Sequence, residues 1–171
     1  MNRDKEYGNA NPEAPSELSQ FAFLIGKWRC DARIKGEDGT WQPYQATWVG
    51  PYILDGQVIA DEYRMTDQTG EVIVHGMNFR SYSIEKKTWV MRWLNGTGSF
   101  WLELGPETLG GVRVTPKNIT FNFVDTFAPD ALTRVTFSNI SESRFTWSCE
   151  RSLDQGKTWA QFMVIEAHRT G

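Results

Sequence analysis

The chain has 171 residues, with 18 lysines and arginines against 21 aspartates and glutamates, and its formal net charge is -3. This length suits a single domain, and 40% hydrophobic with 23% charged residues excludes a disordered or collagen-like chain. The slight negative charge provides no basic surface for nucleic acid or an anionic membrane, and no apolar run approaches the roughly 20 residues that a membrane span needs. We therefore expect neither nucleic acid nor a membrane as a partner.

The first 16 residues are polar and contain Pro12 and Pro15. They lack the charged and then apolar arrangement of a signal peptide, which favours a cytoplasmic protein. We expect a flexible leader at residues 1–16 and one domain at residues 17–171. A short helix should follow the leader, because Ser16 is a suitable N-terminal cap and Gly26 a suitable end.

From residue 27 onward, apolar and polar residues alternate in runs that stop at turn signals such as Asp38-Gly39 and Asn95-Gly96. Alternation with a period of two predicts β-strands. The approximate strands are 27–35, 41–49, 57–66, 71–82, 88–95, 99–104, 112–115, 119–126, 131–139, 144–152 and 158–168. Sequential hairpins without a long crossover predict an all-β fold, an up-and-down antiparallel β-barrel of about ten strands with a short N-terminal helix.

Turn lengths predict which residues lie opposite one another. A four-residue loop at 67–70 pairs Tyr63 with Val74, a turn at 85–86 pairs Tyr82 with Trp89, and a loop at 95–98 pairs Trp93 with Phe100. A three-residue turn at 37–39 places residues 28, 30 and 32 beside residues 44, 46 and 48. These registers agree on one inward face: Ile59, Asp61, Tyr63, Val72, Val74, Gly76, Asn78, Arg80, Tyr82, Trp89, Met91, Trp93, Phe100, Leu102 and Leu104. The opposite face carries Glu62, Arg64, Glu71, His75, Arg92 and Glu103.

Three segments in order carry a resemblance to a known fold. Phe23-Leu24-Ile25-Gly26-Lys27-Trp28 resembles the Gly-x-Trp opening of lipocalins and the wider calycin group of β-barrels. Leu54-Asp55-Gly56, and then Gly76 to Tyr82 with the aromatic strand Trp89 to Trp93, are more similar to an uncharacterised bacterial lipocalin-like family. The resemblance covers roughly residues 20–104, and it implies an antiparallel barrel around a small-molecule cavity without implying a reaction.

The segment from Ser152 to Trp159 matches the Asp-box pattern Ser-x-Asp-x-Gly-x-x-Trp of sialidases and related propellers. A propeller needs repeated copies in a longer chain. We therefore interpret the segment as structural, with Asp154 and Gly156 shaping a turn and Trp159 packed beside it.

We expect no cofactor and no metal. Nitrobindins, a haem-binding branch of similar barrels, open with Gly-x-Trp-x-Gly-x-Gly and use a histidine of the last strand, but both later glycines are missing here and His168 lies three residues from the end. His75 is the only other histidine, and the two cysteines, Cys30 and Cys149, are far apart in sequence, so a catalytic zinc site is not expected. Cys30 is predicted to be a small inward-facing core residue.

Large side chains of the inward face are the candidates for lining a ligand cavity. They are Trp28, Tyr44, Trp48, Asn78, Tyr82, Trp89, Met91, Trp93, Phe100 and Trp147. Asp61 and Arg80 should meet each other or a ligand, because an unpaired buried charge is costly. The candidate catalytic set is Asp61 as a base with Arg80 or Tyr63 steadying an oxyanion.

The leading function is binding of a small apolar or aromatic molecule in the barrel cavity with one polar anchor. The first alternative is a cofactor-free acid–base enzyme (a lyase, isomerase or cyclase) that uses the same cavity. The sequence therefore does not distinguish a carrier from an enzyme. A filled structural barrel that acts through its surface is the second. Apolar residues on the outward face, Ile73, Met77, Phe79, Val90 and Leu94, indicate a homodimer.

Overall fold

A computed structural model describes residues 6–105, 109–125, 128 and 130–170. A 3-10 helix, Ser16–Leu24, comes before twelve strands. The strands are β1 (Gly26–Lys35), β2 (Trp41–Gly50), β3 (Tyr52–Ile53), β4 (Val58–Thr66), β5 (Val72–Ser83), β6 (Thr88–Asn95), β7 (Phe100–Glu103), β8 (Arg113–Val114), β9 (Ile119–Val124), β10 (Leu132–Ser138), β11 (Arg144–Ser152) and β12 (Ala160–Arg169). Residue 126, which the sequence placed at the end of a strand, lies outside the described residues.

The strands form one curled antiparallel sheet in the order β7-β6-β5-β4-β2-β1-β12-β11-β10-β9-β8, with β3 paired to β4 alone. Nearly every strand lies beside its neighbour in sequence, and β12 returns to pair with β1. The predicted all-β, up-and-down antiparallel barrel with a short N-terminal helix is confirmed. Eleven of the twelve strands correspond to the ranges outlined from the sequence, and the missing one is β3, whose two residues are too few to show alternation. Within the described residues, β7 and β8 are the two ends of the hydrogen-bonded ladder.

The predicted inward face is correct, although two of the registers differ by two residues. Tyr82 lies opposite Trp89 as predicted. Tyr63 lies opposite Gly76 rather than Val74, because the loop after Thr66 is one residue longer than predicted and a bulge next to Met65 adds one more. Trp93 similarly lies opposite Leu102 rather than Phe100. Side chains alternate with a period of two, so a shift of two leaves each one on its predicted face.

The helix closes one end of the barrel. Phe21 and Leu24 are fully buried, and the indole of Trp28 donates a hydrogen bond to the Leu24 carbonyl at 3.1 Å. The indole of Trp89 donates to the side chain of Gln20 at 3.1 Å. The predicted cap was wrong: Ser16 is the first helical residue, and no side chain caps the helix. Pro15 sits at the cap position, where it has no side-chain acceptor to offer the first free N–H groups.

Part of the leader lies against the turn between β3 and β4. The backbone N–H of Asn11 donates to the Gly56 carbonyl at 3.0 Å, and its side chain donates to the Asp55 carbonyl at 3.0 Å. Residues 1–5 of the predicted leader lie outside the described residues. The boundary between leader and domain stays a prediction.

The Asp-box turn has the predicted structural role. Asp154 accepts hydrogen bonds from the backbone N–H and the hydroxyl of Thr158, at 2.8 and 2.7 Å. Gly156 adopts a φ of 88°, a conformation that favours glycine, and its carbonyl accepts a hydrogen bond from the Trp159 indole at 3.0 Å. The turn therefore joins β11 to β12 by its own hydrogen bonds.

Candidate ligand-binding site

A cavity of about 290 Å³ lies inside the barrel. Its half-buried lining residues are Val74, Trp93, Leu102, Phe123, Trp147 and Met163. Its buried lining residues are Trp48, Tyr63, Asn78, Arg80, Leu104, Phe121, Val135 and Ile165. The walls are almost entirely apolar, and polar side chains are confined to the buried end. Arg80 separates this end from the helix, because its guanidinium lies 5.0 Å from the ring centre of Phe21.

A buried ion pair forms beneath the cavity. Asp61 is 0% and Arg80 2% exposed, and Arg80 Nε donates to Asp61 Oδ2 at 2.6 Å. Asp61 Oδ1 accepts from Trp48 Nε1 at 2.8 Å, from Asn78 Nδ2 at 3.0 Å and from Arg80 Nη2 at 3.2 Å. The predicted meeting of Asp61 and Arg80 is therefore confirmed. Asp61 lies behind the cavity lining with both oxygens accepting hydrogen bonds.

The Tyr63 hydroxyl is a buried polar group without a hydrogen-bond partner among the described residues. Its ring packs edge-on against Trp48 at 5.3 Å, and the residue is 5% exposed. Burial, with a smaller contribution from the Cys30 thiol, raises the pKa of Tyr63 well above its ordinary value, so the phenol stays protonated and can donate. Such an unsatisfied group is costly in a folded protein and calls for a partner. Asn122 Oδ1 is the other such atom in the described part of the chain, and Asn122 is not a cavity-lining residue.

The orientation of the Asn78 amide follows from its neighbour. A carboxylate only accepts hydrogen bonds, so the amide nitrogen must be the atom that faces Asp61. The amide oxygen then lies on the other side, and Asn78 lines the cavity. Asn78 therefore keeps an acceptor oxygen that Asp61 does not use.

The structure brings together six of the predicted site residues as cavity lining: Trp48, Tyr63, Asn78, Arg80, Trp93 and Trp147. The other predicted residues lie outside this lining. Trp28 and Trp89 pack against the helix, and Tyr82 packs edge-on against Trp89 at 5.6 Å. Met91 accepts a contact from the Arg80 guanidinium at its sulfur, 3.4 Å away. Tyr44 and Phe100 are half-buried.

Apart from Trp147, sequence reasoning missed the lining from the second half of the chain. Phe121, Phe123, Val135, Met163 and Ile165 face the cavity from β9, β10 and β12. The alternation of Ile119, Phe121 and Phe123 is the signal that identifies this face.

The remaining titratable and sulfur-containing candidates lie away from the cavity. His75 is on the outward face as predicted, with its Nε2 2.7 Å from Glu62 Oε1. Cys30 is fully buried, as predicted for a small core residue, and burial raises the pKa of its thiol to about 12. His168 is exposed on β12. Among the described residues, no three His, Cys, Asp or Glu side chains are grouped as metal ligands.

The outward face carries an apolar patch across three strands. Met77 lies opposite Leu94, and Leu94 lies opposite Trp101. Trp101 is 58% exposed, and its ring packs at a tilt against that of Phe79, with the ring centres 5.7 Å apart. Ile73 is 40% exposed on the same strand as Met77. In the described part of the chain, no helix is both long and apolar enough to cross a bilayer.

No protein-family model matches the chain, and a search of curated proteins returned no significant match. Among solved structures, Rv2717c from M. tuberculosis is similar, with a TM-score of 0.59 and 10% identity over 93% of this chain and 100% of that one. The S-type phycobiliprotein lyase CPES from Guillardia theta has a TM-score of 0.51 and 11% identity, covering 90% of this chain and 92% of its own. At these identities the likenesses show a shared fold alone. Membership of a bacterial lipocalin-like family stays a prediction.

Proposed function

We propose that the protein binds a small, neutral, flat aromatic molecule inside the barrel. The observation that carries this proposal is the cavity of about 290 Å³ inside the barrel, whose walls are almost entirely apolar. Small-molecule sites combine apolar walls with a few well-placed polar groups in this way. A filled structural barrel would not leave this space.

The volume of the cavity limits the size of the ligand. A protein cavity of about 150 Å³ holds benzene, and typical ligand pockets begin near 300 Å³. At about 290 Å³, this cavity suits a molecule of two rings. The indoles of Trp48, Trp93 and Trp147 supply flat surfaces for stacking or edge contacts with such rings.

The charges below the cavity favour a neutral ligand. Asp61 and Arg80 neutralise each other, and the guanidinium already donates to Asp61 through Nε and Nη2. A charged ligand would lose its hydration without gaining an unpaired partner of opposite charge. The same contacts give no support to Asp61 as a catalytic base, because both of its oxygens already accept hydrogen bonds. Binding without chemistry is therefore the function that we propose.

Isothermal titration with 2-acetylnaphthalene, a neutral two-ring probe, tests this proposal. We expect one site per chain with a Kd in the micromolar range. Val74→Trp places a large side chain in the cavity and should weaken binding at least tenfold. Ile73→Trp is the matched control, because its neighbouring position on β5 is exposed on the outward face, and it should bind as the natural sequence does. Absent binding at millimolar probe, or equal binding by Val74→Trp, would contradict the proposal.

A further inference from the structure

One acceptor in the cavity wall is held in a fixed orientation and has no hydrogen bond to the described residues. It is the side-chain oxygen Oδ1 of Asn78, a residue of β5 that lies opposite Asp61 on β4 and Trp93 on β6. The amide nitrogen donates to Asp61 Oδ1 at 3.0 Å. Asp61 is itself held by Trp48 and Arg80. The nitrogen therefore fixes the amide, and the oxygen points away from the carboxylate.

The Asn78 oxygen is open to contact from the cavity. Asn78 is 8% exposed and lines the cavity. Among the described residues, the Tyr63 hydroxyl and Asn122 Oδ1 are the two buried side-chain polar atoms that are both closed to contact and without a partner. Asn78 Oδ1 also lacks a partner in the described part of the chain, but it is not one of these two, so part of its surface is open. Because Asn78 faces the inside of the barrel, the space that reaches this oxygen is the cavity.

We infer that the cavity selects a two-ring aromatic molecule with an N–H in the ring, such as an indole, and that this N–H donates to Asn78 Oδ1. This inference rests on the proposed function and deepens it by naming the ligand class. A ligand that fills the cavity excludes water from this oxygen, and a buried acceptor without a donor is costly. An indole N–H supplies the donor and brings no lone pair that would need a partner of its own among apolar walls.

The same acceptor disfavours ligands of similar shape without a donor. Benzofuran carries an oxygen in place of the indole N–H, so it leaves Asn78 Oδ1 unpaired. A ketone such as 2-acetylnaphthalene can bind with its carbonyl toward the half-buried end of the cavity, but it also leaves this oxygen unpaired. A cationic donor would lose its hydration without gaining a free anion, because both oxygens of Asp61 already accept hydrogen bonds.

Isothermal titration of indole and benzofuran against the natural sequence and against Asn78→Leu tests the inference. Leucine is close to asparagine in size and has no acceptor, and Asp61 keeps its donors on Trp48 and Arg80. The differing hydration of the two probes cancels when the ratio of their affinities is compared between the two proteins. We expect Asn78→Leu to weaken indole about tenfold relative to benzofuran.

Asn122→Leu is the matched control. It makes the same substitution at the other asparagine whose oxygen has no partner in the described structure, and Asn122 is not a cavity-lining residue. Both affinities should stay as in the natural sequence.

A second measurement uses the natural sequence and so does not depend on the folding of Asn78→Leu. With ¹⁵N-labelled indole bound, a nuclear Overhauser effect should join the indole N–H proton to the side-chain amide protons of Asn78. Contacts of that proton with Met163 instead would place the N–H at the half-buried end of the cavity and refute the inference.

The outcomes separate the inference from the proposed function. Failure of indole, benzofuran and 2-acetylnaphthalene to bind at millimolar concentration would refute the proposed function itself. Binding of indole and benzofuran with the same affinity ratio in the natural sequence and in Asn78→Leu would refute the N–H contact while the proposed function stands.

Discussion

Replacing Arg80 by methionine should destabilise the fold by about 3–5 kcal/mol, because it leaves Asp61 buried without its cation. Asp61 is 0% exposed and receives four hydrogen bonds, two of them from Arg80. The donors on Trp48 and Asn78 remain after the substitution. Since half of the donors survive, we expect a loss near the lower end of that range, about 3 kcal/mol.

A second substitution tests where this energy comes from. Asp61→Asn in the Arg80→Met background removes the buried charge and keeps an oxygen that accepts from Trp48 and Asn78. The double variant should recover at least half of the lost stability. Asp61→Leu in the same background should recover less, because it leaves two donors buried without an acceptor.

Urea denaturation followed by tryptophan fluorescence measures these differences as free energies of unfolding. Arg92→Met is the matched control, because Arg92 pairs with Glu103 at 3.1 Å on the outward face, where the two side chains are 40% and 72% exposed. It should cost at most about 1 kcal/mol. A loss below about 1 kcal/mol for Arg80→Met as well would refute the reasoning, since Asp61 would then be hydrated through the cavity.

Three further predictions concern other parts of the molecule. The Thr158 N–H and hydroxyl hold the pKa of Asp154 at about 2, below its ordinary value. This carboxyl therefore contributes stability that is lost as the pH falls from about 4 to about 2. Over that interval, the melting temperature of Asp154→Asn should fall less than that of the natural sequence. Gly76→Ala should destabilise the fold by about 1–3 kcal/mol through the collision with Trp93, and an unchanged urea midpoint would contradict the close packing of Trp93 on Gly76. The outward patch predicts a homodimer in sedimentation at micromolar concentration, which Trp101→Glu should convert to a monomer; a monomeric natural sequence would refute this use of the patch.

Local patterns predicted the barrel and its inward face. Alternation and hairpin turns are short-range features, so the strands and the placement of Asp61, Tyr63 and Arg80 on one face could be read from them. The Met65 bulge could not be predicted, because an extra residue in one strand leaves no mark on the alternation of its partner. The bulge and the longer loop together shift the register by two residues, and an even shift leaves each side chain on its predicted face.

The residues that line the cavity were harder to predict than the residues that face into the barrel. Trp89 and Trp93 share the same face of β6, yet only Trp93 lines the cavity. The difference arises because the 3-10 helix fills one end of the barrel, and Trp89 packs against its Phe21 and Gln20. Contacts between a helix and residues about 70 positions away depend on tertiary packing, which periodicity does not encode. The sequence alone therefore could not identify which inward-facing residues line the cavity. Nor could it show that the Tyr63 hydroxyl lacks a hydrogen-bond partner among the described residues.

The most direct test of small-molecule binding inside the barrel is an NMR measurement of contacts between a bound probe and methyl groups. With 2-acetylnaphthalene bound, nuclear Overhauser effects should join the ring protons to the methyl groups of Val135, Met163 and Ile165, which lie in the cavity wall. The methyl groups of Ile73 on the outward face should show none. Contacts to Ile73 in place of the cavity methyl groups would show that the probe binds outside the barrel, and would contradict the account.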